Sequence, residues 1–354
     1  SKLLRRFGSA RRAFEELPRL AREMGAEKSL VRCRRDDAQA ELEGLEDRGC
    51  QLIAFDEPYY PARLAEIADP PPLLTVRGRR ELLEAPGVAI VGARNASGNG
   101  RLLTRSLAED LAGGGLAVIS GLARGIDTAA HEGALAADGS TVAVIASGID
   151  VAYPRENADL MERIAEAGAV VTERPLGSVP QARHFPRRNR LISGLSLGVV
   201  VVEAAPQSGS LITARLAAEQ GREVMAVPGS PLDPRHRGTN QLLRDGATLV
   251  ESADDIRAAL GPLVPVAAVR PLRRPAAERA SRLPAAATIE APERDGDHLI
   301  ERLCDRLGPE PLLVDELIRQ CHASTAEVQQ ALMELELAGR IERHPGNRVS
   351  LARA

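Results

Sequence analysis

The sequence has no tryptophan and few other large aromatic residues. Its 354 residues include three tyrosines and four phenylalanines, while 44% of the chain is hydrophobic. The core must therefore be built from Ala, Val, Leu and Ile, which favours an α/β protein. The longest uncharged apolar stretch, residues 195–202, is far too short to span a bilayer. No signal peptide is visible, so we expect no association with a membrane.

Metal-binding and disulfide patterns are also missing. The four cysteines are scattered, with no CxxC pair and no histidine at ligand spacing. This pattern predicts free or buried thiols in a reducing cytoplasm and no metal site. The formal net charge is −3, from 46 basic and 49 acidic residues. Any basic site must therefore be local.

One segment concentrates positive charge. Residues 183–190 hold four arginines, one histidine and one phenylalanine, with no acid. Pro186 predicts a helix start, which would place Arg187 to Arg190 in the first turn. Cations are unfavourable at this end of the macrodipole unless an anion binds there. The alternative is a solvated arginine cluster or a set of structural ion pairs.

From residue 86 onward, short apolar strands alternate with helical segments. This alternation predicts a parallel sheet covered on both faces. Functional loops of such sheets lie at the carboxyl ends of the strands, where the glycine-rich and arginine-bearing segments fall. The six predicted strands are 88–91, 116–119, 141–145, 169–171, 197–202 and 224–227.

Three strand-to-helix loops have the composition of phosphate-binding loops, at residues 92–98, 120–125 and 208–213. Glycines let the backbone approach an anion, and the helix N-terminus adds its dipole. Arg94 and Arg124 would give bidentate contacts. Phe185 would either stack a base or pack in the core. Together with Arg187 and Arg190, these loops predict a basic pocket.

Known cofactor motifs are absent from these loops. The first loop is not GxGxxG, and GxxxxGK[ST] does not occur, so neither NAD nor ATP in a P-loop is favoured and no cofactor is expected. The polar residues near the pocket are Asp127, His131, Glu173 and Glu203. We favour structural roles for these four, and no catalytic residue is predicted.

The regions around this core have different compositions. Residues 1–50 are predicted to be helical, and residues 51–80 to be a proline-broken connector with an edge strand at 73–76. Residues 261–296 form a linker rich in Pro, Ala and Arg. Residues 297–354 combine three predicted helices and a hairpin, the pattern of a winged helix-turn-helix.

The charge of this last domain argues against duplex recognition. It has seven arginines and ten acidic residues, and its third helix has no Lys or Arg between Ser324 and Gly339. A helix that reads the major groove should be basic or amide-rich. Protein contact or packing is the favoured interpretation.

Six motifs, in order and spacing, resemble the DNA-processing protein A family (DprA, also called Smf). The resemblance is dense over residues 51–260. It implies an extended Rossmann-like core, a partial helical domain of the sterile-alpha-motif type at 1–50 that lacks its beginning, and a winged-helix domain at 297–354. The motifs are VAIVGAR (88–94), SGLARGID (120–127) with His131, GIDVAYP (148–154), FPRRNRLIS (185–193), VVEA (201–204) with SGSLITA (208–214), and VPG (227–229).

The resemblance also implies a function. Such a protein is not an enzyme, works as a cytoplasmic homodimer, protects incoming single-stranded DNA in natural transformation and loads a RecA-type recombinase onto it. The family's DNA contacts map to Arg94, Phe185, Arg187 and Arg190, and the glycine loops line the same pocket. The complete predicted binding set is Gly92, Arg94, Ser120, Gly121, Arg124, Gly125, Phe185, Arg187, Arg188, Asn189, Arg190, Ser208, Gly209, Ser210 and Thr213.

Two other functions compete with this one. The first is a Rossmann-like hydrolase that acts on nucleoside monophosphates, for which the Gly-Ser loops and nearby acids are suitable. Residues 208–213 lack the glutamate of the PGGxGTxxE signature that such enzymes carry. The second is a duplex-binding regulator that uses the winged helix, which the acidic third helix argues against.

Overall fold

The structure is a computed structural model. The predicted linker at 261–296 lies outside its described residues, apart from residue 261. The described residues are 2–25, 33–55, 57–137, 139–261, 299–300, 303–304, 306–308, 311–321, 323 and 325–352.

The N-terminal region is helical, as the sequence predicts. Helix α1 spans Lys2–Phe7, α2 spans Ala10–Glu23 and α3 spans Arg35–Glu46. The Ser9 side chain caps α2 by accepting a hydrogen bond from the backbone N–H of Arg12. α3 then leads into the first strand of the central sheet.

That sheet has nine strands in the order β1-β2-β6-β5-β4-β3-β7-β8-β9. Strands β3 to β9 run parallel to one another, whereas β1 pairs antiparallel with β2, and β2 with β6. The strands are β1 (Cys50–Ala54), β2 (Leu73–Gly78), β3 (Gly87–Val91), β4 (Ala117–Ser120), β5 (Thr141–Val144), β6 (Ala169–Thr172), β7 (Gly198–Val201), β8 (Glu223–Ala226) and β9 (Thr248–Leu249).

The region predicted as a connector is therefore part of the sheet. Residues 51–80 supply nearly all of β1 and the whole of β2, and β1, not the predicted 73–76 segment, forms the edge. The reason is a long-range pairing, since Val76 of β2 lies opposite Val171 of β6. Local composition, which is dominated here by prolines, carries no information about such a partner.

In the described part of this core, eight α-helices accompany the strands. Alternate strand residues face opposite sides of the sheet. Ala89 and Val91 therefore belong to one apolar core, and Val88 and Ile90 to the other. The helices are α4 (Ala62–Ala65), α5 (Gly98–Gly113), α6 (Ile126–Ala136), α7 (Ala158–Ala167), α8 (His184–Leu195), α9 (Gly209–Glu219), α10 (Arg237–Arg244) and α11 (Ala253–Leu260).

The sheet has a topological switch point at β3. This strand is flanked by β4 on one side and by β7 on the other. The chain leaves β3 and β7 toward opposite halves of the sheet, so their carboxyl ends open a crevice. The loops after Val91 and Val202 border this crevice, so we expect a ligand-binding site there.

The C-terminal region has the winged-helix arrangement. Its core is formed by residues such as Leu317, Leu332 and Val349. Residues 299–300 and 303–304 are helical, and the predicted hairpin gains a short third strand. The bounded elements are β10 (Leu312–Leu313), α12 (Val314–Cys321), α13 (Thr325–Leu337), β11 (Ile341–His344) and β12 (Arg348–Leu351).

In the described ranges, no helix has both the length and the apolar composition that crossing a bilayer requires.

Candidate nucleic-acid interface

Helix α8 begins earlier than the sequence predicts. It starts at His184, so Pro186 occupies the third helical position, where a missing backbone N–H sacrifices no intrahelical hydrogen bond. Arg187 to Arg190 consequently lie in the second turn. Because the macrodipole acts mainly within the first turn, the prediction that these cations crowd the positive end of the helix is wrong.

The three arginines in this second turn have three different environments. Arg187 is exposed to solvent. The Arg190 side chain is 15% exposed and forms an ion pair with Glu173, with Asp69 at 4.0 Å. Arg188 is only 5% exposed. One turn of helix thus supplies a surface cation, a structural ion pair and a buried cation.

Arg188 passes directly beneath the loop that follows β4. Its Nη1 donates a hydrogen bond of 2.7 Å to the carbonyl of Val144, at the end of β5. A Cβ atom at Gly121 would lie 1.7 Å from this Nη1, which explains the glycine. Burial lowers the pKa of Arg188 to about 10, and the carboxylate of Asp127 partly offsets this effect. Among the described residues, Arg188 Nε has no hydrogen-bond partner.

Two aromatic rings and a guanidinium meet at the mouth of this crevice. The Cζ of Arg94 lies 5.2 Å from the centroid of the Phe185 ring, a cation–π contact. The ring of Tyr153 lies 5.6 Å from that of Phe185 at a tilt of 54°. Tyr153 is 47% exposed. A cation and two partly open aromatic faces therefore lie side by side.

A first cavity of about 60 Å³ opens beside these rings. Arg94, Arg124, Tyr153, Phe185 and Arg188 all contribute to its walls. The sequence-based prediction of site residues did not include Tyr153, although the Tyr-Pro pair in the loop after β5 was a usable signal.

Arg124, in the wall of the first cavity, is paired with a carboxylate. It forms a two-point ion pair with Glu156, with Arg124 Nη2 at 2.7 Å from a carboxylate oxygen. The Arg124 side chain is nevertheless 62% exposed. The hydrogen bond with Glu156 raises the pKa of Arg124 above its ordinary value.

A second cavity of about 500 Å³ lies at the switch point. It shares Arg94, Ala123, Phe185 and Arg188 with the first cavity, so these residues lie between the two. The N-terminus of α9 lines it, capped by Ser208, whose Oγ accepts from the backbone N–H of Ser210 at 3.4 Å. The sequence-based prediction did not include Arg235 or Asn95, which also line this cavity.

The structure brings most of the predicted binding set to these two cavities, and its role in binding stays a prediction. Ser120 and Gly125 lie outside both linings. Ser120 Oγ donates to the carbonyl of Ile90 at 2.6 Å, and Gly125 has a φ of +75° that favours glycine. Arg187 and Arg190 also lie outside. The residues inside are Gly92, Arg94, Gly121, Arg124, Phe185, Arg188, Asn189, Ser208, Gly209, Ser210 and Thr213.

Comparison with known families matches the segment that builds these cavities. The family model described as DNA recombination-mediator protein A matches residues 51–261, more than half of the chain. The chain belongs to this family. Two further models flank the match: a DprA-like N-terminal HHH domain at residues 1–44 and a DprA winged-helix domain at residues 284–347.

Relatives of this DNA recombination-mediator family match over most of their length. Protein Smf of Escherichia coli is 39% identical over 324 residues, covering 90% of this chain and 82% of that protein. Protein Smf of Synechocystis is 34% identical, covering 87% and 81%. Together with the family models, these matches confirm the resemblance seen in the sequence.

Solved structures of the family support the fold. The structure of DNA processing protein A from Streptococcus pneumoniae is 38% identical with a TM-score of 0.59, covering 68% of this chain and 91% of that one. The homologue from Helicobacter pylori is 30% identical with a TM-score of 0.55, covering 61% and 98%. The mixed α/β core with its large parallel sheet, the helical N-terminal domain and the winged helix are confirmed.

The acidic residues near the crevice are held by other groups of the protein. Asp127 accepts hydrogen bonds from the backbone N–H groups of Gly121 and Ala123. Glu203 is fully buried and accepts from the N–H of Ser97, at the start of α5, at 2.9 Å. Burial raises the pKa of the Asp127 carboxyl. These contacts have the geometry of structural supports for the loops.

Proposed function

We propose that this chain binds single-stranded DNA along the carboxyl edge of its sheet and acts as a recombination mediator, not as an enzyme. The observation that carries the proposal is the Arg94 guanidinium over the Phe185 ring, with Tyr153 beside it. Exposed aromatic faces stack bases of any identity, while arginines neutralise phosphates. Such an arrangement holds a single strand without reading its sequence.

A solved structure from the family supports single-stranded DNA as the ligand. The Helicobacter pylori structure gives insight into the single-stranded DNA binding mode of DNA processing protein A from that organism. That protein is 30% identical to this chain. By homology, we assign the same class of ligand to the crevice of this chain.

The acidic side chains near the crevice support the proposal that the chain is not an enzyme. A hydrolase would need a carboxylate that can reach a substrate, yet Glu203 is fully buried beneath the start of α5. Asp127 lines the second cavity, but its carboxylate accepts hydrogen bonds from the backbone N–H groups of Gly121 and Ala123. The Glu173 carboxylate is engaged by Arg190. An assay for free base released from nucleoside monophosphates tests this directly, and release that is lost on changing Glu203 would contradict it.

The winged helix is not proposed as a duplex reader. Helix α13 carries three glutamates and no Lys or Arg, and Glu336 pairs with Arg343 of the neighbouring strand. Phosphates dominate affinity for duplex DNA, so an acidic helix is poorly suited to the major groove. Tight binding of duplex DNA that is lost when this domain is removed would overturn the assignment.

Protection of incoming DNA in transformation, transfer to a RecA-type recombinase, and a homodimer complete the proposal. They rest on family membership. Light scattering on purified protein tests the dimer. Recombinase filament formation on strands coated with single-strand binding protein, with and without this chain, tests the transfer.

The decisive experiment is the salt dependence of binding to matched single-stranded and double-stranded oligonucleotides. We expect a preference for single strands, with a slope of log K against log salt of about −0.7 for each phosphate neutralised. The variant Arg94→Glu with Arg187→Glu should lose most binding. It should also flatten the slope by about 1.4 units, because two contacts disappear.

A second double variant controls for net charge. Arg163 and Arg215 are exposed arginines of α7 and α9 outside both cavity linings. Arg163→Glu with Arg215→Glu changes the net charge by the same amount as the first pair. Equal losses in the two double variants would mean that overall charge, not the crevice, governs binding.

A further inference from the structure

The second cavity contains a buried cation with an open hydrogen-bonding position. Arg188 is 5% exposed, lines the cavity, and has an Nε without a hydrogen-bond partner among the described residues. A buried unsatisfied polar group on a charged side chain is costly. An open edge that tracks a DNA backbone does not need such a group, since surface arginines suffice for that purpose.

A helix N-terminus is directed to the same cavity. Helix α9 has 11 residues and no acidic side chain in its first turn. Its first backbone N–H groups are hydrogen-bond donors. The hydroxyls of Ser208 and Ser210 hydrogen-bond to each other at 2.7 Å, so one of these two O–H groups is already engaged. Ser208, Gly209 and Ser210 all line the cavity. Arg188 and the α9 terminus therefore present positive potential to one cavity.

The charges around this space favour an anion. Three arginines line it, Arg94, Arg188 and Arg235, against one carboxylate, Asp127. Arg235 is paired with Asp233 at 2.8 Å. The Asp127 carboxylate is turned toward the N–H groups of the loop after β4, which reduces its opposition to an anion in the cavity.

The size and depth of the cavity select the kind of phosphate. A volume of about 500 Å³ is that of a small-ligand site. A phosphodiester within a strand needs room for chain on both sides of the phosphate, whereas a phosphomonoester needs only one path. Because Arg188 is only 5% exposed, we expect the group that reaches it to be the end of a chain.

We infer that the second cavity binds a terminal phosphomonoester, either the 5′-phosphate of a DNA strand or that of a free nucleoside monophosphate. The strand form rests on the proposed single-strand binding. In it, Arg94 and Phe185 separate the stacked base from the phosphate, which Arg188 and the α9 N-terminus hold. The crevice thereby binds the terminal phosphate of a strand in addition to the nucleotides along it.

The test compares short single-stranded oligonucleotides of one sequence, with either a 5′-phosphate or a 5′-hydroxyl, labelled at the 3′ end. Fluorescence anisotropy should show roughly tenfold tighter binding of the phosphorylated strand, the gain expected for hydrogen bonds to a charged group. A 3′-phosphorylated strand labelled at its 5′ end reports whether polarity matters. Adenosine monophosphate, adenosine and inorganic phosphate serve as competitors.

Gly209 offers a matched pair of variants. A Cβ atom there meets nothing within 4 Å, so a side chain fits without displacing the fold. Gly209→Asp places a carboxylate at the N-terminus of α9, where it favours the helix but repels a phosphate. It should abolish the preference for the phosphorylated strand. Gly209→Asn, neutral and of nearly the same shape, adds the same bulk without the charge and should lose less of that preference than Gly209→Asp.

The outcomes separate the inference from the proposed function. A preference that is unchanged in Gly209→Asp, or no preference together with no competition by adenosine monophosphate, overturns the inference. Binding of the hydroxyl-ended strand would leave the proposed function standing in that case. Competition by adenosine monophosphate but not adenosine, without a strand-end preference, supports the inference with the free nucleotide as ligand. If no strand binds at all, the proposed function fails.

Discussion

The contact between Gly121 and Arg188 predicts how much a substitution at Gly121 lowers the free energy of unfolding. In Gly121→Ala the new methyl would lie 1.7 Å from Arg188 Nη1. A long side chain at the surface would move aside at little cost, but Arg188 is 5% exposed and bound to the Val144 carbonyl. Overpacking costs about 1–3 kcal/mol, and losing a hydrogen bond from a charged donor adds about 1.5–3 kcal/mol.

We therefore expect Gly121→Ala to lower the free energy of unfolding by about 3–5 kcal/mol. Urea denaturation measures it, followed by circular dichroism because the chain has no tryptophan. In an Arg188→Met background the same change should cost about 1 kcal/mol, since the clashing guanidinium is gone. Costs that agree within about 0.5 kcal/mol in the two backgrounds would refute the reasoning.

Two further predictions concern the aromatic mouth and a buried histidine. Tyr153→Ala should weaken single-strand binding by about 1–3 kcal/mol at fixed salt, the contribution of one stacked base; unchanged affinity in anisotropy titrations would remove Tyr153 from the site. His131 is fully buried, its Nδ1 lies 2.7 Å from Thr141 Oγ1, and burial lowers its pKa to about 3. Because the pKa of His131 is lower in the folded state than in the unfolded chain, the neutral ring stabilises the fold fully above about pH 6.5. This contribution to the free energy of unfolding is lost as pH falls toward 3, by up to about 1.4 kcal/mol per pH unit. His131→Gln should reduce this slope in urea titrations, and an identical slope would place the pH dependence elsewhere.

The sequence predicts most of the parallel part of the fold, strands β3 to β8. Strands β3 to β8 are short apolar runs between turn residues, and such runs predict buried parallel strands directly. Strand β1 was missed because its residues, Cys50–Ala54, have only a mixed burial pattern. Its place depends on β2, which in turn depends on β6. Strand β9 was missed because two residues, Thr248–Leu249, carry no periodic signal.

The sequence predicted which loops form the site. It did not predict the directions in which the side chains of α8 point. Glycines and arginines at strand ends place Arg94 and Gly209 near one crevice by topology alone. The rotation of α8 about its axis is set by packing against the sheet, which no local pattern encodes. Successive helical residues turn by about 100°, so Arg188 is buried in the crevice while Arg190 pairs with Glu173 instead.

Two polar side chains of helix α8 hydrogen-bond to the neighbouring elements on either side of it. Arg188 holds it to the carbonyl of Val144, and Asn189 Nδ2 donates to the carbonyl of Gly209 at 3.2 Å. The helix that presents Phe185 is thereby fixed to β5 on one side and to α9 on the other before any strand arrives. A preorganised surface loses little entropy on binding, so association should follow diffusion and charge steering rather than a slow rearrangement of the protein.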